Sequence, residues 1–556
     1  MSIIAGIYTS QWTPELHDIQ QRVEQYISRN PDDDRHCYHD DHLFFCQVDY
    51  QCYGGAARAE NEQVFASVIG HPLLSASISH DLITLLTAKD WQVTLKQAQG
   101  TFCAFQYQKA RNELLVYCDT LALRPYYIMS YKGAVIFSSC LRIFPDLGVQ
   151  LDNNLDAISE LATLGYTLGD KTRFKQVSVA RPGEMMVLSP EGIQRKRYFR
   201  WADVPNGHCS IDEGIERLDR SFKQAVSLYL GNDQHTVSTL SGGLDSRLIA
   251  TELKRRGAGL ECLNFSRGNS QDELLSQRFA DSQQIPLHRI YVSDTQTLTV
   301  EQRLGVHWKV DDFSYYSTVK RPRLFWSGNG GSVCVGQIYT DDKVVEACRR
   351  GDPEQLADCY INQQMAYIPS RLVRQGDELQ QRLRNNILDA LSEYEHLPLL
   401  KAYQLFLWEN DQHHHIALPF EEMDQFQLDF CLPFYSRGVL EAMFSMETEW
   451  ALRHGIYMKW LERCYPQALT TPWQTYPGHI PCPLPVETEY SNQWQFRTPL
   501  QTKARLIKQG VQTVFNHQAG IYNRHFLGMQ CALTALGVYD CTPSLRLVER
   551  MNQHMV

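Results

Sequence analysis

The run Ser241-Gly242-Gly243-Leu244-Asp245-Ser246 constrains this 556-residue chain more than any other feature. A short apolar approach, Val237 to Leu240, reads as a buried strand. After the glycines, Arg247-Leu248-Ile249-Ala250-Thr251-Glu252-Leu253-Lys254-Arg255-Arg256 has helical spacing, and Gly257 supplies a stop. Strand, glycine-rich turn and helix start together offer backbone N–H groups and a positive helix end to a phosphate. The glycines let the backbone come close to the anion because no Cβ intervenes. Asp245 would repel a phosphate directly. Its chemistry suits a ligand for Mg²⁺, which takes oxygen ligands and bridges phosphates. No lysine follows the glycines, so the run is not a Gly-x-x-x-x-Gly-Lys-Ser/Thr loop.

The length predicts two or more domains. Hydrophobic residues at 43% and charged residues at 21% describe a soluble globular chain. No run of about 18 apolar residues is present, so no membrane span is expected. The net charge of −10, with no basic stripe, argues against nucleic acid as a partner. Sixteen cysteines are scattered without a Cys-x-x-Cys pair. The start, Met1 to Tyr8, is apolar but lacks the basic lead-in of a signal peptide. The expectation is a cytoplasmic protein with reduced, mostly core cysteines.

Two histidine clusters are read as non-metal. His36, Cys37, His39, Asp40, Asp41 and His42 follow a turn-like Pro31-Asp32-Asp33-Asp34-Arg35 and are expected in an exposed polar loop. His413-His414-His415 on a helix would point in different directions and could not share one ion.

Short strand-like runs dominate the first ~200 residues: Ile3–Tyr8, His42–Val48, Gly100–Tyr107, Leu114–Cys118, Tyr126–Ser130 and Ala134–Ser138. Helical patterns lie near Ser79–Ala88 and Leu155–Leu164. From Ile211 helices and short apolar runs alternate, at Glu213–Tyr229, Val237–Leu240, Leu248–Arg255, Leu260–Phe265, Glu273–Asp281, His288–Val292 and Leu324–Ser327. That alternation predicts a parallel sheet covered on both faces. The boundary falls near Trp201–Cys209, with Pro205, Asn206 and Gly207, giving domains 1–203 and 204–556. The part beyond Asp352 reads as mainly helical.

The Ser241–Ser246 string resembles the PP-loop of the ATP pyrophosphatases, which cut ATP between the α and β phosphates. With it placed, the chain resembles the asparagine synthetase family. Ala5-Gly6-Ile7-Tyr8, Cys118-Asp119 with Arg124-Pro125-Tyr126-Tyr127, Phe137-Ser138-Ser139, Gly165-Tyr166 to Thr172, Pro182-Gly183-Glu184, Ser266-Arg267-Gly268 with Asp272-Glu273, and Ser327-Gly328-Asn329-Gly330-Gly331 carry the resemblance. It implies an α/β multidomain fold: an N-terminal αββα Ntn-hydrolase-like sandwich, then a parallel-sheet PP-loop ATP pyrophosphatase domain with a helical C-terminal part. It also implies ATP and Mg²⁺ as cofactors. Ser241, Gly242, Gly243 and Ser246 would hold pyrophosphate, Leu240 and Phe265 would frame adenine, and Asp245 would bind the metal. Leu244, Ser266, Gly328 and Gly330 complete the expected nucleotide site, with Asp245 and Ser246 as its catalytic pair.

The chain also departs from the family. Position 2 is Ser2 where the family's glutaminases expose a cysteine, and Ile3 replaces the usual glycine. The family's glutamine-holding loop has no counterpart; the nearest stretch is Val68-Ile69-Gly70-His71-Pro72-Leu73. The Asp-Glu of the second glycine-rich loop falls at Ser332-Val333, with Asp341 and Asp342 downstream as substitutes. The family's late lysine has no match in Pro472-Trp473-Gln474-Thr475-Tyr476-Pro477-Gly478-His479, where His479 is the one candidate for positive charge.

The expected activity is ATP-dependent amide formation without a cysteine glutaminase. A carboxylate is adenylated, AMP and pyrophosphate leave, and ammonia or an amine is acylated. The partners are then a small-molecule or peptide carboxylate and a nitrogen donor, with no nucleic acid, no membrane, and a homodimer as an open option. Two alternatives stand beside it. One is an intramolecular amide former similar to β-lactam synthetases or lasso-peptide cyclases, its base drawn from Tyr339, Glu409, Glu421 and Glu422. The other is a nucleotide-binding pseudoenzyme.

Overall fold

The structure, a computed structural model, describes residues 2–205, 209–231, 233, 235–266, 268, 270–291, 324–422, 424, 428–487, 490, 498, 500–516 and 520–555. Met1, Asn206, Gly207, Arg267 and Val292, used above, lie outside the described residues.

Strands β1 (Ser2–Tyr8), β2 (Arg35–His39), β3 (Leu43–Asp49), β4 (Arg58–Glu60), β5 (Val64–Gly70), β6 (Phe102–Gln108), β7 (Glu113–Cys118), β8 (Tyr127–Tyr131), β9 (Ala134–Ser138), β10 (Val177–Val179), β11 (Glu184–Ser189) and β12 (Gly192–Arg197) build two antiparallel six-stranded sheets. Their orders are β10-β8-β9-β1-β3-β2 and β12-β11-β7-β6-β5-β4. Helices α1 (Pro14–Tyr26), α2 (Ile78–Thr87), α3 (Trp91–Leu95) and α4 (Leu155–Thr163) surround them.

The layering follows from side-chain alternation along the strands. Ile4 and Tyr8 of β1 face Phe65 and Ile69 of β5 and Phe105 of β6 in the core between the sheets. Ile3, Ala5 and Ile7 face the other way, onto Leu16, Ile19 and Val23 of α1. On the second sheet, Ala66 and Val68 meet Ile78, Leu82 and Leu85 of α2. Each central strand is buried on both faces, so β1 reads as an unbroken apolar run. The result is an αββα sandwich.

The second part holds a parallel sheet of β13 (His235–Thr239), β14 (Gly259–Ser266), β15 (Leu287–Tyr291), β16 (Leu324–Trp326) and β17 (Asp429–Cys431). Its order is β15-β14-β13-β16-β17. Helices α5 (Ile211–Leu230), α6 (Leu244–Arg255) and α7 (Gln271–Gln283) belong to this part. The chain winds outward from β13 through β14 to β15, then returns to the other side of β13 as β16. The β13/β16 junction is therefore the topological switch point, where open α/β sheets form a crevice at the strand carboxyl ends. Beyond β16 the described chain is helical apart from β17. Leu545, Val548 and Met551 of the last helix cluster with Ile158 and Ala162 of α4.

Buried polar contacts join sandwich and sheet. Arg124, fully buried, donates to Asp429 Oδ1 of β17 at 2.7 Å and stacks 3.8 Å above the Phe420 ring. Its Nε reaches Thr101 Oγ1 at 3.3 Å. Gly70 leaves room for this arginine: a Cβ there would sit 2.6 Å from Arg124 Nε, and its φ of +74° already favours glycine. Tyr127 donates its hydroxyl to Glu421 at 2.6 Å, and Arg29 and Arg142 both pair with Asp424.

The expected elements fall within a few residues of observed ones, but β2, β4, β5, β10, β11, β12, α1 and α3 are not among them. Only Asp40, Asp41 and His42 of the His36–His42 cluster lie in a loop, since its first part is β2, an edge strand paired to β3. Alternation of exposed and half-buried polar residues along β2 conceals the strand. Helix α1 also went unread, although Thr13 caps it by accepting from Leu16 N and Pro14 stands at its first turn.

Candidate functional site

A cleft of about 490 Å³ opens at the carboxyl ends of β13, β14 and β16. Leu240, Ser241, Gly243, Leu244, Asp245, Ser246, Phe265, Ser266, Gly328 and Gly330 all line it. Gly242 does not. It turns its N–H to Asp272 Oδ1 at 2.8 Å, and its carbonyl accepts from Gln474 N at 2.9 Å. Both its backbone groups are thus engaged within the protein.

The loop after β13 is ordered by its own serines. Ser246 Oγ accepts from Ser241 N at 2.9 Å, and Ser241 Oγ accepts from Gly243 N at 3.2 Å. Asn264 of β14 ties the loop to its neighbour strand, donating to Leu240 O at 2.8 Å and to Asp272 at 2.9 Å. Gly243 precedes helix α6 at the N-cap position and contributes no side-chain cap. The first-turn N–H groups of a helix have no intrahelical acceptor, so an uncapped start facing a cleft suits an anion.

The second glycine-rich loop presses against α6 from β16. A Cβ at Gly331 would lie 2.5 Å from Asp245 Cγ, and one at Gly328 would lie 2.9 Å from Ser246 N. Only glycines permit that approach. Ser332 then donates to Asp245 Oδ2 and the Tyr457 hydroxyl to Oδ1, each at 2.6 Å. Tyr476 donates in turn to Ser332 Oγ at 3.0 Å. Burial raises the Asp245 pKa, and the hydrogen bonds from Ser332 and Tyr457 oppose that rise.

Asp341 and Asp342 do not replace the missing acids. Asp341 caps the helix Asp342–Arg350 by accepting from Val344 N at 2.9 Å, and Asp342 pairs with Arg453. The His479 ring lies 4.5 Å from the His454 ring, tilted against it, and its pKa is lowered by burial. His454 itself lines the cleft, and burial lowers its pKa to about 3, so it is neutral near pH 7. Among the described residues of the cleft there is no lysine or arginine. Of the proposed bases only Tyr339 lines the cleft. Glu409 is bound to Arg197 at 2.7 Å, and Glu421 to Tyr127.

Tyr457, Tyr476, Asp411 and His415 also line the cleft, and no motif announced them. They arrive from distant helices and loops, so local spacing carries no signal of their convergence. The stretch Thr471–Tyr476 is drawn over the loop by Arg247, whose guanidinium donates to Pro472 O at 2.7 Å and Thr471 O at 3.1 Å.

The three consecutive histidines diverge. His413 Nδ1 meets Leu121 O at 2.8 Å, His414 stacks on Tyr166, and His415 faces the cleft. Among the described residues no group of three metal-ligating side chains is assembled. His413 is buried, and desolvation lowers its pKa to about 4. A folded-state pKa below the unfolded value means the unfolded chain binds the proton first, so stability falls as pH drops from about 6.5 toward 4. From about pH 7 to about pH 5 this histidine should remove about 2 kcal/mol. Urea midpoints of wild type and His413→Gln at both pH values check this; an equal acid shift in the two proteins would exclude it.

Mg²⁺ that arrives on a nucleotide takes most of its ligands from phosphate and water and needs one or two carboxylates. Asp245, at the start of α6, fits one such ligand. Ser332, not an acid, stands against Asp245 from the second glycine-rich loop.

The chain is thus an αββα sandwich followed by a parallel-sheet domain with a glycine-rich loop at its switch point. Residues 69–199 match the glutamine amidotransferase domain family. Asparagine synthetase [glutamine-hydrolyzing] 3 of Bacillus subtilis (strain 168) is 27% identical over 29% of this chain and 26% of its own length. Asparagine synthetase [glutamine-hydrolyzing] 1 of the same organism is 22% identical over 46% of this chain and 43% of its own length. The chain thus spans less than half the length of these curated relatives. A solved structure of the allosteric regulatory enzyme of purine biosynthesis is 12% identical, over 54% of this chain and 82% of that one, with a TM-score of 0.25. Over these segments the chain is similar to asparagine synthetases and to a glutamine amidotransferase domain. No described helix is long and apolar enough to cross a membrane.

Proposed function

We propose that this protein is an asparagine synthetase-like, ATP-dependent ligase that adenylates a carboxylate and passes it to ammonia or an amine. The observation that carries the reading is the convergence of the predicted loop residues on one cleft, at the uncapped start of α6. The first-turn N–H groups of α6 would hold the pyrophosphate end, and Leu240 and Phe265 would flank the adenine. When bound, Mg²⁺ neutralises phosphate charge, with Asp245 as its protein ligand. Ser241 and Ser246 keep the loop in one shape, so that the substrate carboxylate meets the α-phosphorus in a fixed orientation. AMP and pyrophosphate should appear one-for-one with amide; ADP and phosphate instead would exclude adenylation.

Nitrogen would not come from glutamine hydrolysed by this chain. Ser2 is 1% exposed, and its hydroxyl donates to Asp49 Oδ1 at 3.1 Å, opposite it in the β1/β3 register. A serine hydroxyl is far less acidic than a thiol and depends wholly on a placed base and oxyanion hole. Glutamate release from glutamine should stay at background, and Ser2→Ala should leave ATP-dependent amide formation unchanged. Glutaminase activity that disappears in Ser2→Ala would overturn this.

A second reading, a nucleotide-binding pseudoenzyme, is favoured by one observation: both Asp245 oxygens already accept hydrogen bonds from Ser332 and Tyr457. Nucleotide binding without AMP formation, across a panel of carboxylates and amines, would select it.

A further inference from the structure

We propose that Cys37 and Cys46 form a peroxide-sensitive thiol pair, an oxidation site that closes as a cross-strand disulfide. The two residues are direct partners in the antiparallel β2/β3 register. Opposed residues in such a pair have Cα atoms about 4.5–5.5 Å apart, inside the roughly 4.4–6.8 Å range of disulfides. Their sulfurs already lie 3.2 Å apart, with a hydrogen bond between them. Side-chain rotation therefore suffices to close the bond, with no strand displacement.

The two thiols are unequal, as an attacking and a resolving cysteine should be. β2 is the edge of its sheet, and Cys37 on it is exposed. Cys46, one strand inward, is buried with Ile19 and Val23 of α1. The hydrogen bond with Cys46 lowers the Cys37 pKa, while burial and Glu24 oppose this and Arg35 assists. Cys37 is therefore the thiolate that peroxide meets first.

The chemistry balances with hydrogen peroxide as oxidant. The Cys37 thiolate attacks one peroxide oxygen, the O–O bond breaks, and hydroxide leaves to become water on protonation. Cys37 is then a sulfenic acid. The Cys46 sulfur attacks that sulfur, the S–O bond breaks, and the oxygen departs as a second water. Two thiols have lost two electrons to one peroxide. An external dithiol reverses the reaction by exchange.

The molecule carries its own control. Cys103 and Cys118 are also direct cross-strand partners, on β6 and β7, with sulfurs 3.9 Å apart. Both are fully buried between the two sheets. Pairing alone would make the two sites equivalent; accessibility makes only the first reactive.

The test treats the full-length protein with equimolar hydrogen peroxide, blocks remaining thiols, digests, and maps cysteines by mass spectrometry. A linked Cys37–Cys46 peptide should accumulate and disappear with dithiothreitol, while Cys103 and Cys118 stay alkylatable after unfolding. In Cys46→Ser the linked peptide should vanish, and dimedone labelling of Cys37 should rise several-fold over wild type. Equal dimedone labelling in both proteins without a linked peptide would overturn the proposal. So would Cys103–Cys118 linkage at lower peroxide than Cys37–Cys46.

Discussion

Replacing Asp429 by alanine should destabilise the protein by roughly 3–5 kcal/mol, the cost of leaving one member of a buried ion pair without its partner. Arg124 and Asp429 are both fully buried, and 305 residues of chain separate them. Asp429→Ala strands the guanidinium beneath the Phe420 ring and between Thr101 and Tyr53, where water cannot reach it. Two well-packed apolar side chains are a different case. The double variant Arg124→Met/Asp429→Leu should recover much of the loss, because it removes both desolvation costs together. Urea unfolding followed by tryptophan fluorescence checks the order: wild type and double variant close together, single variant far below. A single variant within about 1 kcal/mol of wild type would mean the pair is solvated in solution.

Asp245→Ala should lower ATP-dependent turnover by about 10²–10³-fold, the scale on which a positioned electrostatic group acts. Binding of AMP, which carries no pyrophosphate, should fall much less. That contrast separates loss of a metal ligand from collapse of the loop. Collapse is a real alternative, since Asp245 also anchors Ser332 and Tyr457. Titration calorimetry with AMP and with Mg²⁺–ATP reads the two effects independently. Equal loss of both ligands would assign Asp245 a structural role only, and would remove its part in the proposed mechanism.

The sequence by itself determined about half the strands of the sandwich, the strand and helix around the glycine-rich loop, and the loop residues that line one side of the cleft. The physical reason is local. A glycine needed for close backbone approach, an apolar strand leading into it and a helix period leading out each leave a mark within a dozen residues. β1 and β3 were readable because burial on both faces makes them continuously apolar. β2 was missed because an edge strand need not be apolar at all.

Only the tertiary structure decided what Asp245 touches. Ser332 and Tyr457 reach it from separate parts of the chain, with Tyr476 behind Ser332, and nothing in their spacing announces it. The strand order also had to be seen, since it places the switch point between β13 and β16 and so sets where the cleft opens. It also moved Glu409, Glu421, Asp341 and Asp342 out of the site. A carboxylate in sequence is an available charge. In the fold each of these acids already has a partner, Arg197, Tyr127, the Val344 N–H and Arg453 respectively. Partnership over long sequence separation is a property of packing, and packing is what local pattern does not encode.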